Sequence, residues 1–124
     1  MVAPGFIDLH AHGQSIPADR MQAFDGVTTT LDLEAGVLPV ASLYKRQASQ
    51  GSVLNYGASV NWAFARINAM TGSNEESSLE AFGRAMRDRR WVENVASETE
   101  VSGILAHLEN GLNEGGISDV ARIN

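Results

Sequence analysis

Residues 4–13 read PGFIDLHAHG, an apolar, strand-forming segment that ends in two histidines separated by one residue. Its bulky apolar side chains predict a first, buried β-strand over Val2 to His10. Side chains two residues apart on a strand point to the same side of the sheet, so His10 and His12 are expected to project together. The stretch therefore predicts the start of a sheet and a pair of imidazoles at its carboxyl end.

Strand and helix patterns alternate along the residues that follow. The predicted elements are a helix over Ala18–Asp25 with Met21 and Phe24 as its buried face, a strand over Val27–Glu34, a helix between Pro39 and Gly51 with Val40, Leu43, Tyr44 and Gln47 at helical spacing, and a strand over Val53–Val60. Such alternation is typical of parallel strands joined by right-handed helical crossovers. The predicted fold class is therefore α/β, in which ligands bind at the carboxyl ends of the strands.

Two further helices are expected in the C-terminal half. The first would begin with a capping box between Ser73 and Glu76, and its buried face would carry Leu79, Phe82 and Met86. The second would be capped by Ser97 or Thr99, and its apolar stripe comprises Val101, Ile104, Leu105, Leu108 and Leu112.

The composition excludes several classes of function. The formal net charge is -6 and no basic cluster stands out, so neither nucleic acid nor an anionic membrane is an expected partner. The chain lacks cysteine, which excludes disulfides and thiolate metal sites. The opening residues do not show the pattern of a secretion signal, so the cytoplasm is the expected location. The length of 124 residues suits a single domain.

His10 and His12 are the first candidates for metal ligands. Two imidazoles on one side of a strand's carboxyl end can reach the same ion, and imidazole nitrogen is a good ligand for zinc. The alternative is a chance meeting of two histidines in a chain that contains three. The position at the end of a strand, followed by Gly13, favours the metal interpretation.

Three stretches resemble motifs of one enzyme family. Residues 2–13 resemble the first-strand signature of the amidohydrolase superfamily, whose members are metal-dependent hydrolases on a (β/α)8 barrel. Gly26–Thr30 (GVTTT) resembles the family's second strand, and Leu108–Gly116 (LENGLNEGG) more weakly resembles the helix that leads into its fourth. Together they are most similar to the branch of N-acyl-D-amino-acid deacylases, dihydroorotases and hydantoinases. The resemblance implies a partial TIM barrel of about the first three to four β/α units.

The resemblance also implies roles for particular residues. His10 and His12 would ligate the more buried ion of a site that holds one or two divalent ions, with zinc as the first expectation. Glu34 stands where the deacylase branch has a metal-contacting residue that is often cysteine, and it would either ligate the metal or cap the following turn. Asp8 would ligate the metal or buttress neighbouring loops, and Asp32 is a weaker candidate.

Asn61 and Arg66, which follow the third strand, are the candidates for substrate binding. In deacylase relatives this region carries a histidine and an arginine near the substrate. By that resemblance Arg66 would pair with a substrate carboxylate through its planar guanidinium. The residues Ser59-Val60-Asn61 stand where the histidine is expected. His107, beside Leu108, is expected to be a surface histidine of the last helix.

The implied reaction is hydrolysis of the C–N bond of a small-molecule amide, in which the metal activates water and polarises the carbonyl. In the family, an aspartate late in the barrel transfers the proton. Because a whole barrel takes roughly 250 residues, residues 1–124 are expected to be one partial barrel domain, truncated at both ends. The polar tail Ile117–Asn124 does not look like a fourth strand. Without the later ligands and the aspartate, the chain is expected to be inactive alone.

Two alternatives stay open. The first is a non-catalytic, truncated α/β protein that associates with itself or another chain through open sheet edges. The second is a complete, small flavodoxin-like binding domain in which the His-x-His pair is accidental. Neither alternative makes the chain itself an enzyme, and the sequence does not select a substrate.

Overall fold

A computed structural model describes residues 2–118 as an open sheet of three parallel strands, in the order β1-β2-β3, with helices around it. In chain order the elements are β1 (Phe6–Asp8), α1 (Ile16–Phe24), β2 (Val27–Val37), α2 (Val40–Gln50), β3 (Asn55–Val60), α3 (Trp62–Thr71), α4 (Leu79–Ala85), α5 (Arg90–Glu93) and α6 (Glu98–Asn113). The α/β class and the parallel strands are therefore confirmed. Within residues 2–118 the strands form an open sheet and do not close into a barrel.

β1 is shorter than predicted, because the chain leaves the regular ladder after Asp8. The Asp8 carboxylate accepts a hydrogen bond of 2.9 Å from the backbone N–H of His10, a donor that a longer strand would present to its neighbour. The register with β2 also shifts between Phe6 and Ile7. The histidines thus follow the strand and do not belong to it.

The hydrophobic core lies where β3 meets the helices α2 to α6. Its fully or nearly buried members are Leu38, Val40, Val60, Phe64, Ala65, Ile67, Met70, Ala81, Trp91 and Leu108. α6 approaches the sheet closely at Gly111, where an added Cβ would lie 2.6 Å from a methyl group of Val60. Of the α2 residues that the sequence places at helical spacing, Val40, Leu43 and Gln47 are buried and Tyr44 is partly buried against the core.

The predicted buried face of α1 is wrong. Met21 and Phe24 are 68% and 90% exposed, whereas Asp19 is only 1% exposed. The Asp19 carboxylate accepts a hydrogen bond of 3.0 Å from the hydroxyl of Ser52, which orients the helix with this polar residue inward. A buried, hydrogen-bonded carboxylate therefore decides the orientation of α1, and its apolar residues face outward.

The predicted start of α4 is also wrong. Ser78 caps this helix by accepting from the N–H of Ala81, whereas the hydroxyl of Ser73 donates to the side chain of Asn68. The helix begins late because the preceding segment is tied to Leu38, whose N–H donates to the Ser77 hydroxyl and whose carbonyl accepts from the Ser77 N–H. The predicted buried face is also wrong: Ala81 is the buried residue of α4, whereas Leu79 is 92% exposed and Phe82 and Met86 are 37% and 51% exposed.

α6 follows the prediction at its start and in part along its face. Ser97, one of the two predicted caps, forms a capping box with Glu100. The hydrogen bonds from Ser97 also lower the pKa of the Glu100 carboxyl. Of the predicted stripe, Leu108 is buried, while Leu105 keeps 59% of its surface exposed.

The first residues of the tail lie beside β3. The N–H of Ile117 donates to the carbonyl of Ala58, and the carbonyl of Ser118 accepts from Val60, at 2.9 and 2.7 Å. The remainder of the segment predicted to be non-strand, residues 119–124, lies outside the described residues. Across residues 2–118, no helix is both long and apolar enough to cross a membrane.

Candidate metal centre

The side chains of His10, His12 and Glu34 converge at the carboxyl ends of β1 and β2. One ligand atom from each of the three lies within 4.8 Å of the other two. The Nε2 atoms of His10 and His12 are 3.0 and 2.9 Å from the same carboxylate oxygen, Oε2 of Glu34. The two imidazole rings pack edge to face, with their centroids 4.8 Å apart. The structure thus brings together the three residues that the sequence suggested as ligands.

The two histidines converge because the backbone between them is tied to β2. The N–H of Ala11 donates to the carbonyl of Leu31 at 3.0 Å, and the N–H of Leu33 donates to the carbonyl of Leu9 at 3.4 Å. Ala11 is buried, whereas His10 and His12 are exposed. The hydrogen bonds of Leu9 and Ala11 with β2 therefore leave both imidazoles exposed beside the end of β2, although the regular strand ends at Asp8.

Asp8 supports the loop and lies outside the cluster. Its Oδ1 accepts from the N–H of His10, and its Oδ2 accepts from the side chain of Gln22 in α1 at 2.8 Å. Both carboxylate oxygens are therefore engaged in holding the His10 backbone against α1. Of the two roles suggested for Asp8, the geometry matches the buttress.

Glu34 is presented by a bulge in β2. Asp32 pairs with Ala58 and Val37 pairs with Val60, so the four residues 33–36 of β2 lie opposite the single residue Ser59. This segment, residues 33–36, is called the β2 bulge below. Extra residues of this kind bend a strand and redirect its side chains. Glu34 stands in the β2 bulge with 59% of its side chain exposed.

Asp32 holds the β2 bulge. Its Oδ1 accepts from the N–H groups of Ala35 and Gly36 at 3.1 and 3.0 Å. The hydroxyl of Ser59 lies 3.3 and 3.2 Å from the carbonyl oxygens of Asp32 and Leu33, as a donor to both. The capping role that was considered for Glu34 is therefore filled by Asp32, which leaves the Glu34 carboxylate available to the histidines.

Gly36 closes the β2 bulge in a conformation that favours glycine. Its φ is +69°, and an added Cβ would lie 2.6 Å from the carbonyl oxygen of Ser59. A side chain at this position would therefore meet both backbone strain and a steric clash.

Asp32 also faces the far side of His12. Its Oδ1 lies 3.7 Å from Nδ1 of His12, and its side chain is only 14% exposed. At this distance the interaction is electrostatic, because it exceeds the length of a hydrogen bond. A carboxylate behind the second nitrogen of a histidine is the usual arrangement around metal-ligating imidazoles.

The donor set fits a divalent metal ion. Two imidazole nitrogens and one carboxylate oxygen are three protein ligands of the kind that catalytic zinc sites use, with one position left for water or substrate. Their separations of 2.9 and 3.0 Å are slightly shorter than the roughly 3.4 Å expected between ligands of a tetrahedral zinc ion. Small side-chain rotations would accommodate the ion.

The two predicted substrate-binding residues are not brought together. Asn61 lines the cleft beside the cluster, but its Oδ1 caps α3 by accepting from the N–H of Phe64 at 2.9 Å. Arg66 lies elsewhere, because its guanidinium donates to the backbone carbonyls of Trp91 and Asn94, each at 2.7 Å. Arg66 thus ties α3 to α5 in the described part of the chain.

A cleft of about 910 Å³ opens beside the cluster. His12, Asp32 and Glu34 belong to its polar lining, and apolar side chains from α2, α3, α4 and the end of β2 form much of the rest. Arg46 of α2 also lines the cleft, and the sequence interpretation did not single it out. Its one signal is helical spacing, since it follows the cleft-lining residue Leu43 by three positions.

A family described as "Amidohydrolase family" has a model that matches residues 1–121. Neither the curated proteins nor the solved structures gave a significant match.

Proposed function

The chain belongs to the amidohydrolase family, and on that premise we propose that it contributes metal ligands to a hydrolase that cleaves the C–N bond of an amide. The observation that carries this proposal is the approach of two imidazole Nε2 atoms to one oxygen of Glu34. Among the residues that the structure describes, these three form a cluster with ligand chemistry.

The proposed cofactor is a divalent metal ion, with zinc as the first choice for imidazole ligands. Such an ion, when bound, lowers the pKa of water and polarises a substrate carbonyl. The chain's own residues would have distinct roles. His10, His12 and Glu34 would hold the ion, while Asp32 keeps Glu34 presented and faces Nδ1 of His12.

The finer assignment rests on the motifs. The PGFIDLHAHG and GVTTT segments are most similar to the branch with N-acyl-D-amino-acid deacylases, so an N-acylated amino acid is the proposed substrate. Cyclic amides are the second choice, because hydantoinases and dihydroorotases belong to the same branch. In this proposal β1 to β3, with their helices, correspond to the first units of a (β/α)8 barrel.

We expect the 124-residue chain alone to show little or no turnover. The resemblance implies further histidine ligands and a proton-transferring aspartate, whereas the third histidine of this chain, His107, lies in α6. The proposed role of the chain is therefore to supply one side of the metal site.

Metal titration tests the proposal directly. Zinc binding to the chain would be measured by calorimetry and by competition with a chromophoric chelator. His10→Ala should weaken zinc binding by at least about tenfold. Removing a ligand should reduce metal affinity by no less than removing a hydrogen-bond partner of a ligand does. His107→Ala is the matched control and should bind zinc as the unaltered chain does. Equal zinc affinity in the His10→Ala and His107→Ala variants would rule out the proposed ligands.

A second, non-catalytic role is supported by the open edge of the sheet. β1 pairs only with β2 within the described residues, and Phe6, Ile7 and Leu9 are 62%, 61% and 56% exposed. Unpaired strand edges invite pairing with another chain. We therefore also propose that this edge mediates self-association, whether or not the metal site is used.

A further inference from the structure

Arg46 is the one lysine or arginine among the described residues that line the cleft of the metal cluster. It lies on α2, three residues after Leu43, which is buried and also lines the cleft. The same cleft contains His12, Asp32 and Glu34. One cleft therefore contains two of the three proposed metal ligands, His12 and Glu34, together with the Asp32 carboxylate and a single permanently charged cationic side chain.

The guanidinium of Arg46 is available to a ligand. The guanidinium makes no hydrogen bond or ion pair within residues 2–118. The hydroxyl of Ser49 donates to the backbone carbonyl of Arg46, not to its side chain. Arg66, Arg84 and Arg90 are occupied, since Arg66 binds backbone carbonyls and the other two pair with Glu75 and Asp88. Arg20 and Arg87 also have no such partner within residues 2–118, but they do not line the cleft.

The apolar lining of the cleft indicates which other chemical group an anionic ligand would carry. The cleft's apolar members include Val37, Leu43, Phe64, Leu79 and Phe82. A ligand that complements these walls combines apolar surface with a negative charge. In the absence of metal, the carboxylates of Asp32 and Glu34 would repel that charge from their own part of the cleft, which leaves Arg46 as its partner.

We propose that Arg46 recognises the free carboxylate of an N-acylated amino acid and is a specificity-determining residue of this cleft. The planar guanidinium suits a carboxylate, because it offers two parallel N–H donors. This inference rests on the proposed amide hydrolysis, since the carboxylate contact would orient the amide relative to His12 and Glu34. It assigns to Arg46 the role that the sequence suggested for Arg66.

The test compares two probes that differ only in charge. Racemic N-acetylleucine and its neutral amide, N-acetylleucinamide, would be titrated into the chain and followed by NMR chemical-shift changes, without metal and with zinc. The acid should bind about fivefold more tightly than the amide, a preference typical of a solvent-accessible ion pair. Arg46→Gln should abolish that preference and leave binding of the amide unchanged.

Lys45→Gln is the matched control. Lys45 is the neighbouring exposed cation on α2, and it does not line the cleft. The control should keep the fivefold preference. The proposal is overturned if the unaltered chain binds neither probe or prefers neither, if Arg46→Gln keeps the preference, or if Lys45→Gln loses it equally.

The zinc measurement separates this inference from the proposed function. Arg46→Gln should bind zinc with unchanged affinity, because Arg46 is not part of the metal cluster. His10→Ala should retain the preference for the acid in the absence of metal. If the unaltered chain bound no zinc but preferred the acid, the metal site alone would be rejected; if it bound zinc but preferred neither probe, the role of Arg46 alone would be rejected.

Discussion

Two carboxylates on β2 have different roles, although they are only two residues apart. Oε2 of Glu34 lies within 3.0 Å of both imidazoles, whereas Oδ1 of Asp32 accepts from two backbone N–H groups of the β2 bulge. Asp32 is 14% exposed and Glu34 is 59% exposed. The buried carboxylate thus positions the strand end, and the exposed one is free to bind an ion.

Asp32→Asn tests this role without removing the hydrogen-bond acceptor. The amide oxygen can still accept from Ala35 and Gly36, but the negative charge near Nδ1 of His12 is lost. Zinc affinity should fall about tenfold, as for other outer-shell partners of metal-binding histidines, while the melting temperature changes little. Calorimetric zinc titration and thermal denaturation would measure the two effects.

Asp25→Asn is the control for this substitution, because Asp25 is an exposed carboxylate at the end of α1. It should leave zinc affinity unchanged. If Asp32→Asn bound zinc as tightly as this control, Asp32 would have only a structural role.

At the scale of elements, the β2 bulge carries Glu34 to the histidines. Without the extra residues, regular alternation along β2 would continue to Val37 in register with β3. The bulge instead depends on Asp32, Ser59 and a glycine with positive φ. The position of one proposed ligand, Glu34, is therefore a property of the β2–β3 pair and not of β2 alone.

Gly36→Ala should destabilise the fold and weaken the metal site together. The left-handed conformation costs a residue with a side chain about 1–2 kcal/mol, and the new Cβ would clash with the Ser59 carbonyl. We expect a lower free energy of unfolding, measured by urea denaturation, and weaker zinc binding because Glu34 is displaced.

Gly83→Ala is a suitable comparison, since Gly83 lies in α4 and a Cβ there would meet nothing within 4 Å. It should be neutral or stabilising, because alanine favours a helix. A Gly36→Ala chain with unchanged stability and zinc affinity would refute the role of the β2 bulge.

At the scale of the whole molecule, the two edges of the sheet differ. Part of the β3 edge is covered by Ile117 and Ser118, whereas the β1 edge presents exposed apolar residues. α1 does not cover them, because it turns Asp19 inward and Phe24 outward. The proposed self-association is therefore expected at β1.

Ile7→Lys should reduce concentration-dependent association, because a lysine on an edge strand opposes pairing with a second chain. Sedimentation velocity over a range of concentrations would measure the change. Val95→Lys serves as control, since Val95 is 95% exposed and lies outside the sheet. If the unaltered chain were monomeric at every concentration, or if the Ile7→Lys chain associated equally, the β1 edge would be excluded as the surface of self-association.

Local pattern was enough to predict the α/β class and the helix α2, because the helical period and the bulk of strand-forming side chains are properties of neighbouring residues. The same local reasoning failed for α1 and for the start of α4. There, contacts with distant residues decided the outcome: Ser52 bonds Asp19, and Leu38 bonds Ser77. Neither partner can be inferred from periodicity.

The sequence by itself indicated a candidate metal site, since the predicted strand ends carry His10, His12 and Glu34 and parallel strands gather their carboxyl ends at one edge. Only the tertiary structure decided which carboxylate meets the imidazoles and which arginine lines the cleft. The reason is that a ligand's position depends on the register between strands, and register is set by pairing and bulges between residues far apart in the chain.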